Sequence, residues 1–331
     1  MSFAYDPRFM AAAIALAERG VGRTAHCPSV GAILVKDGQV VGRGWTQKGG
    51  RPHAEAMALA QAGKKARGAT LFVTLEPCAH VGRGPSCAQS LIDAGVAQVV
   101  AACDDPDPRT AGDGFAALRE AGVAVVQAVM EEAARAPMIG YLTRHHLGRP
   151  HIMLKLALSQ DGGIAMNDGK PLQLTGEETR THVHLMRARS DVILIGRGTL
   201  VADDPQLTVR VAGLEVYSPR PAILTHDETK LPQGGRLMAR DPLILHRPED
   251  VFALEGINSL MIEGGAQVAR AFLKADLVDR LLLYRAPIIL GAARLDVGGL
   301  GGPDLAAEGR WRLQATRRLG KDLLEVYDRN R

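Results

Sequence analysis

Three side chains of the kind that bind zinc, His53, Cys78 and Cys87, stand close together in this 331-residue chain. An imidazole and two thiolates are donors that Zn²⁺ prefers, and a set of three leaves one position open for water, the mark of a catalytic site. Taken singly, each would more readily be a buried histidine or thiol. The combination is what matters: Pro77 directly precedes Cys78, and Glu55 follows His53 by two positions. A closed structural site would have no use for Glu55 and would call for a fourth ligand. Cys78, placed after an apolar run and a proline, is expected at the start of a helix, where the thiolate form is favoured. The insert between the cysteines, AHVGRGPS, carries His80 and Arg83, which suit a carbonyl or a phosphate. Arg83 reads equally as a solvated side chain. Cys27 and Cys103 have no such company and read as structural.

These residues need a scaffold that holds them together, and the hydrophobic pattern supplies one. Helices are expected at Met10–Glu18, His53–Ala62, Ala88–Ala94 and Phe115–Ala121. Strands are expected at Val30–Val35, Gln39–Trp45, Ala69–Leu75, Ala97–Ala102 and Val123–Ala128. Strands separated by short helices imply a layered α/β sheet, largely parallel in its second half. Pro137–Pro150 gathers Gly, Pro and basic residues and breaks the pattern, which places a boundary between 1–147 and 148–331. Beyond it, strands are expected at His151–Leu158, Asp191–Ile195, Ala222–Thr225, Leu243–Leu245, Ser259–Ile262, Arg280–Ile289 and Leu323–Val326. Glu177–Ala188 and Ala266–Lys274 read as helices. The junction Glu263-Gly264-Gly265 joins a strand to a helix, where backbone N–H groups can receive a nucleotide phosphate. Arg187 and Arg210 carry guanidinium forks of the kind that grip a phosphate.

Composition narrows the function classes. With 40 basic and 36 acidic residues the formal charge is +4, and aromatics are 4%. That balance speaks against nucleic acid as a partner. No stretch approaches the ~20 apolar residues of a membrane span, and the first twenty residues read as an amphipathic helix rather than a leader. Four cysteines do not make a disulfide framework, so a cytoplasmic location is expected. A second half rich in apolar strands suits self-association.

The pattern H-x-E followed by P-C resembles zinc-dependent deaminases, in which the glutamate carries protons rather than binding the metal; this resemblance makes Glu55 the catalytic residue. Nucleoside and tRNA deaminases space their cysteines C-x-x-C, whereas eight residues intervene here. That longer segment resembles one family, the bifunctional riboflavin-biosynthesis deaminase/reductases, RibD. The likeness rests on His53–Glu55, Pro77–Cys87, the Val30–Gly38 hairpin and the Asp105–Pro108 loop. In the second half it rests on Lys155–Gly162, Thr175-Gly176, Gly196–Arg210, Glu263–Gly265 and Leu277–Gly291. It therefore spans essentially the whole chain.

The resemblance implies a cytidine-deaminase-like α/β/α sandwich followed by a dihydrofolate-reductase-like α/β domain. It implies two steps on a phosphoribosylaminopyrimidine: zinc-dependent removal of the 2-amino group, then NADPH reduction of the ribosyl side chain to ribityl. Ala157, Thr199, Asp203, Gly264 and Gly265 would hold NADPH. Lys155, Arg187, Leu207, Arg210 and Glu263, with His80 and Arg83 in the first half, would face substrate. A dimer formed through the reductase half is the expected assembly. The chain departs from the family pattern at Cys27, where Asn is usual, and at Gln160, Gly163, Pro171, Gln173 and His226. Several of these fall in the reductase half, so a competing reading keeps the deaminase and makes the second half a dimerisation or relay module.

Overall fold

The computed structural model describes residues 5–81, 84–166, 173–291, 294–295, 297 and 309–331. The chain divides into two compact units, Met1–Gly148 and Arg149–Arg331.

In the first unit, α1 (Pro7–Ala17) begins at Asp6, whose carboxylate accepts the Arg8 N–H at 3.0 Å, and has Pro7 at its first turn. The elements that follow are β1 (Gly31–Lys36), β2 (Gln39–Trp45), α2 (Ala54–Ala62), β3 (Thr70–Leu75), α3 (Cys87–Asp93), β4 (Gln98–Cys103), α4 (Asp113–Glu120) and β5 (Ala124–Val126). Two further helices, α5 (Glu131–Arg135) and α6 (Ile139–Leu147), complete the unit. The sheet runs β2-β1-β3-β4-β5. It is antiparallel from β2 to β3 and parallel from β3 to β5. Helix α2 lies unusually close to β2. A Cβ at Gly42 or Gly44 would run into the α2 backbone at Ala58 or Ala54, and the buried face of α2 is built from Ala54, Ala58 and Ala62. Glycine against alanine lets the two backbones approach and sets where His53 and Glu55 stand.

The second unit contains β6 (His151–Leu158), β7 (Ala165–Met166), α7 (Glu177–Arg187), β8 (Val192–Gly196), α8 (Arg197–Asp203), β9 (Arg220–Leu224), β10 (Leu243–Leu245) and β11 (Ser259–Ile262). It continues with α9 (Ala266–Lys274), β12 (Arg280–Arg285), β13 (Arg294–Leu295), β14 (Trp311–Leu319) and β15 (Asp322–Arg329). Its main sheet has the order β10-β9-β8-β11-β6-β12-β15-β14. The strands from β10 to β12 are parallel, and β15 and β14 add an antiparallel hairpin. Both faces are covered, as a parallel sheet requires. Phe272 and Val268 of α9 join Leu154, Leu156 and Leu281 on one side, while Val183 of α7 joins Met261, Leu282 and Tyr284 on the other. Arg149 and Asp279 form a buried bidentate pair at 2.6 and 2.9 Å, and Asp279 also accepts the Ile152 N–H at 2.8 Å.

The structure departs from the sequence expectations in places. Pro137–Pro150 is mostly helical, because Pro137 falls in the first turn of a short 3₁₀ segment that leads into α6. The helix expected at Cys78 begins at Cys87 instead, and 76–79 is irregular. The strand expected to run to Ile289 ends at Arg285. Strand β14 has no counterpart among the expected strands; its seven central residues carry no apolar alternation because nearly all are exposed.

Candidate functional site

Two local structures bring the zinc-type donors together. His53 is the N-cap residue of α2, and Cys87 opens α3, whose cap Ser86 accepts the Gln89 N–H at 3.1 Å. Cys78 lies on the segment leaving β3, where its sulfur accepts the Cys87 N–H at 3.3 Å. His53 Nδ1 is 3.3 Å from Cys87 Sγ and 3.7 Å from Cys78 Sγ, and all three donor atoms lie within 4.8 Å of one another. A tetrahedral zinc with bonds of about 2.0 Å to nitrogen and 2.3 Å to sulfur needs ligand separations of about 3.3–3.8 Å. The imidazole therefore stands at the required distance from each sulfur, so the residues fit the ion. Among the described residues this is the one such group, and no fourth ligand joins it.

The two thiols of the centre differ, since the bond to Cys78 and burial push the Cys87 thiol well above its usual range while Cys78 is held down. Hydrogen bonding from Cys87, set against burial, holds the Cys78 thiol down to about 4. The bond to Cys78 raises the His53 imidazole despite its burial. Glu55 is 4% exposed; burial pushes its carboxyl above the usual range, with the His53 charge opposing. A buried carboxyl beside the donors whose affinity for a proton is raised is suited to proton transfer.

Glu76 fixes the floor of the centre. Its buried carboxylate accepts N–H groups from Asp105, Gly112 and Phe115 at 3.3, 3.1 and 3.1 Å. Asp105 in turn accepts the Tyr141 hydroxyl at 2.7 Å. These bonds tie the 105–115 segment to the strand end that carries Cys78. His80 reaches the same segment, with Nδ1 3.4 Å from Thr110 Oγ1. Arg83 lies outside the described residues, as does Pro171. Cys27 packs against Gly50, and the buried Cys103 thiol is pushed up to about 12 by burial; neither joins the donor group.

In the second unit a cavity of about 620 Å³ opens at the carboxyl ends of β8, β9 and β11. The α/β rule expects ligands there. Gly196–Thr199, Thr225–Asp227, Lys230 and Gly265–Val268 contribute to its walls. A Cβ at Gly265 would project toward Thr199 Oγ1, 4.0 Å away. Gly264 stands outside the lining, and a Cβ there would run into Val268 of α9. Asp203 is also outside the lining; its carbonyl accepts from Arg236 at 3.1 Å. A separate polar cluster lies on the α7 face of the sheet. Strand registers place Lys155 beside Leu282 and Ala157 beside Tyr284. Arg187 grips Glu263 with Nε–Oε1 2.6 Å and NH2–Oε2 2.9 Å. Arg210 is exposed, and Leu207 is buried with φ +53°.

The chain matches the RibD C-terminal domain family over residues 150–324 and the cytidine and deoxycytidylate deaminase zinc-binding region over residues 4–103. The riboflavin biosynthesis protein RibD of Aquifex aeolicus is 36% identical, with 98% of each chain covered. This chain belongs to the RibD family. Among solved structures, Acinetobacter baumannii RibD superposes with a TM-score of 0.89 at 34% identity, covering 98% of this chain and 99% of that one. A Thermotoga maritima diaminohydroxyphosphoribosylaminopyrimidine deaminase/5-amino-6-(5-phosphoribosylamino)uracil reductase gives 0.87 at 30%, with 98% of each covered. The first unit is thus a deaminase-type zinc-binding domain and the second a RibD reductase domain. Nothing in these likenesses supports a degenerate second half.

Sequence reasoning passes over several residues that build the RibD sites. Glu76 offers a signal, a carboxylate directly after an apolar strand, where a charge is buried only if paired. Asp279, between Val278 and Arg280 just before the apolar run of β12, offers a similar hint. His184, which accepts the Arg210 N–H at 3.3 Å, gives none.

Proposed function

We propose that this RibD protein acts on 2,5-diamino-6-(5-phosphoribosylamino)pyrimidin-4(3H)-one, first replacing its 2-amino group by oxygen and then reducing the ribosyl side chain to ribityl. The observation that carries the first step is the His53–Cys78–Cys87 cluster with buried Glu55 beside it. Zinc bound there supplies the Lewis acidity that makes water a nucleophile at neutral pH. Glu55 takes the proton from the attacking water and gives it to the ring nitrogen, then serves the departing amine in the same way. His80, with Arg83, orients the substrate from the loop between the cysteines.

For the second step, the 620 Å³ cavity is the cofactor site. Its glycines admit close backbone approach, Thr199 offers a hydroxyl, and Arg197, Lys230 and His226 offer positive or polar donors. That set suits a phosphate-bearing nicotinamide nucleotide, and NADPH supplies the hydride. Asp203 and Gly264 act from just outside the cavity, and Ala157 stands at the nicotinamide end. Lys155, Leu207, Arg210, Arg187 and Glu263 form the substrate side, with exposed Arg210 meeting the phosphate. We assign the partner class as small phosphorylated pyrimidines, without nucleic acid, and the assembly as a dimer through the reductase unit. Among the described residues no helix is long and apolar enough to cross a membrane. None of the four cysteines is in a disulfide, which favours a reducing cytoplasmic setting.

The test is incubation of the purified full chain with the diaminopyrimidine, with and without NADPH, followed by mass analysis. Without NADPH the product has exchanged NH for oxygen and ammonia is released. With NADPH it has also gained two hydrogens. Ammonia release without reduction would leave only the deaminase.

A further inference from the structure

Two arginines near the zinc centre, Arg51 and Arg109, have no task in the chemistry assigned to the first unit. Arg51 stands two residues before His53, on extended backbone (φ −144°, ψ 148°) that leads into α2. It is exposed, and among the described residues its guanidinium makes no hydrogen bond or ion pair. Its charge reaches the His53 imidazole. Arg109 comes from a different segment, the loop after β4, and its side chain is 68% exposed. Its Nε meets the two oxygens of Asp107 at 3.0 and 3.1 Å, and NH2 joins the same carboxylate. Asp107 is buried, and its N–H donates at 3.0 Å to Asp105 Oδ1, the oxygen that also accepts the Tyr141 hydroxyl. Glu76 holds the Asp105 N–H in turn, so Arg109 rests on a chain of buried bonds. Cys27 links the two arginines. Its sulfur packs against Gly50, where a Cβ would come within 2.4 Å, and the charges of both Arg51 and Arg109 act on its thiol. Exposed charges act over only about 8–10 Å in salt, so both guanidinium groups stand around this one thiol beside the centre.

We propose that Arg51 and Arg109 are specificity-determining residues of the deaminase, a pair of guanidinium groups that clamps the substrate's phosphate beside the zinc centre. This rests on the phosphoribosyl substrate proposed above. Guanidinium forks suit phosphate oxygens and stay charged at any working pH. Arg51 supplies an unneutralised charge next to the segment that carries a metal ligand. Arg109 keeps NH1 for the ligand while Asp107 fixes its other nitrogens, so little side-chain freedom is lost on binding. The reacting ring sits at the metal, and the ribose carries the phosphate away from it to this rim.

The experiment measures ammonia release from the diaminopyrimidine ribotide and from its dephosphorylated riboside. It uses the full-length, zinc-loaded wild type, Arg51→Gln, Arg51→Lys, Arg109→Gln and the double glutamine variant. The readout is the ratio of kcat/KM for the ribotide to that for the riboside. Wild type is expected to favour the ribotide, less so as salt is raised. Each single glutamine variant should lower the ratio about tenfold through KM, the worth of one charge-assisted hydrogen bond. The double variant should bring the ratio close to one, and Arg51→Lys should keep most of the preference because the charge remains. Zinc content reports that the centre is intact, and Arg109→Gln, on a different segment from His53, tests the clamp without touching the ligand's own backbone. A ratio that survives in the double variant, or a loss carried by kcat with both substrates alike, would overturn the clamp. A wild type that deaminates both compounds equally well would also overturn it while leaving the deaminase reading intact. A wild type that releases ammonia from neither would instead overturn the substrate reading itself.

Discussion

The two units make their sites in different ways. In the first, the chemistry is local: His53 and Glu55 share the start of one helix, and Cys78 and Cys87 flank one short loop. In the second it is assembled at long range. Arg187 meets a glutamate 76 residues away, Asp322 accepts the Gly176 N–H across 146 residues, and Arg149 meets its carboxylate across 130. A local site can be damaged by moving one backbone. A dispersed site fails when any one of several distant contacts is lost, and its failure shows as instability as much as lost turnover.

The sharpest way to break this contrast is Gly44→Val. Added side-chain carbon at Gly44 collides with the α2 backbone at Ala54, adjoining His53. We expect zinc content and ammonia release to fall at least tenfold while the reductase step on supplied deaminated substrate is kept. Metal analysis and a coupled reduction assay check both halves. Next in size, Arg149→Met removes the bidentate partner of the buried Asp279 carboxylate, leaving it the Arg331 contact at 3.2 Å and the Ile152 N–H, and should cost about 3 kcal/mol. Denaturant melts of the full chain should show that loss in the transition of the second unit, with zinc retained.

The difference between the units also explains how much of each is legible in the amino-acid sequence. His53, Glu55, Cys78 and Cys87 stand out because metal chemistry restricts residue type and spacing together. Strand positions in both sheets follow from buried apolar runs such as Ala69–Leu75 and Asp191–Ile195. Helix α6 is hidden by Pro137 and Gly140, which read as breakers although a proline at a first turn is compatible with helix. Strand β14 is hidden because both faces of this edge strand are largely exposed. Arg187 is recognisable as a phosphate-type side chain, but its engagement by Glu263 depends on folding and leaves no trace in spacing.

A smaller effect sharpens the comparison through pH. His151, at the start of β6, is buried, and burial depresses its imidazole to about 4. An unfolded chain binds that proton near pH 6.5, so the folded state loses stability as pH falls from about 6.5 to 4, by roughly 3 kcal/mol at most. Above pH 6.5 this contribution is fully present. Urea melts at pH 7 and pH 4.5 should show the loss in the second unit, and His151→Gln should flatten it. An unchanged slope in that variant would locate the acid sensitivity elsewhere.

The most direct measurement sets zinc content beside ammonia release for wild type, Glu55→Gln and Cys87→Ser. Glu55→Gln should keep its metal and lose at least about 10³-fold in deamination, since only the proton carrier has gone. Cys87→Ser should lose metal and activity together. A Glu55→Gln enzyme that still releases ammonia at the wild-type rate, or a Cys87→Ser chain with undiminished zinc, would contradict the account.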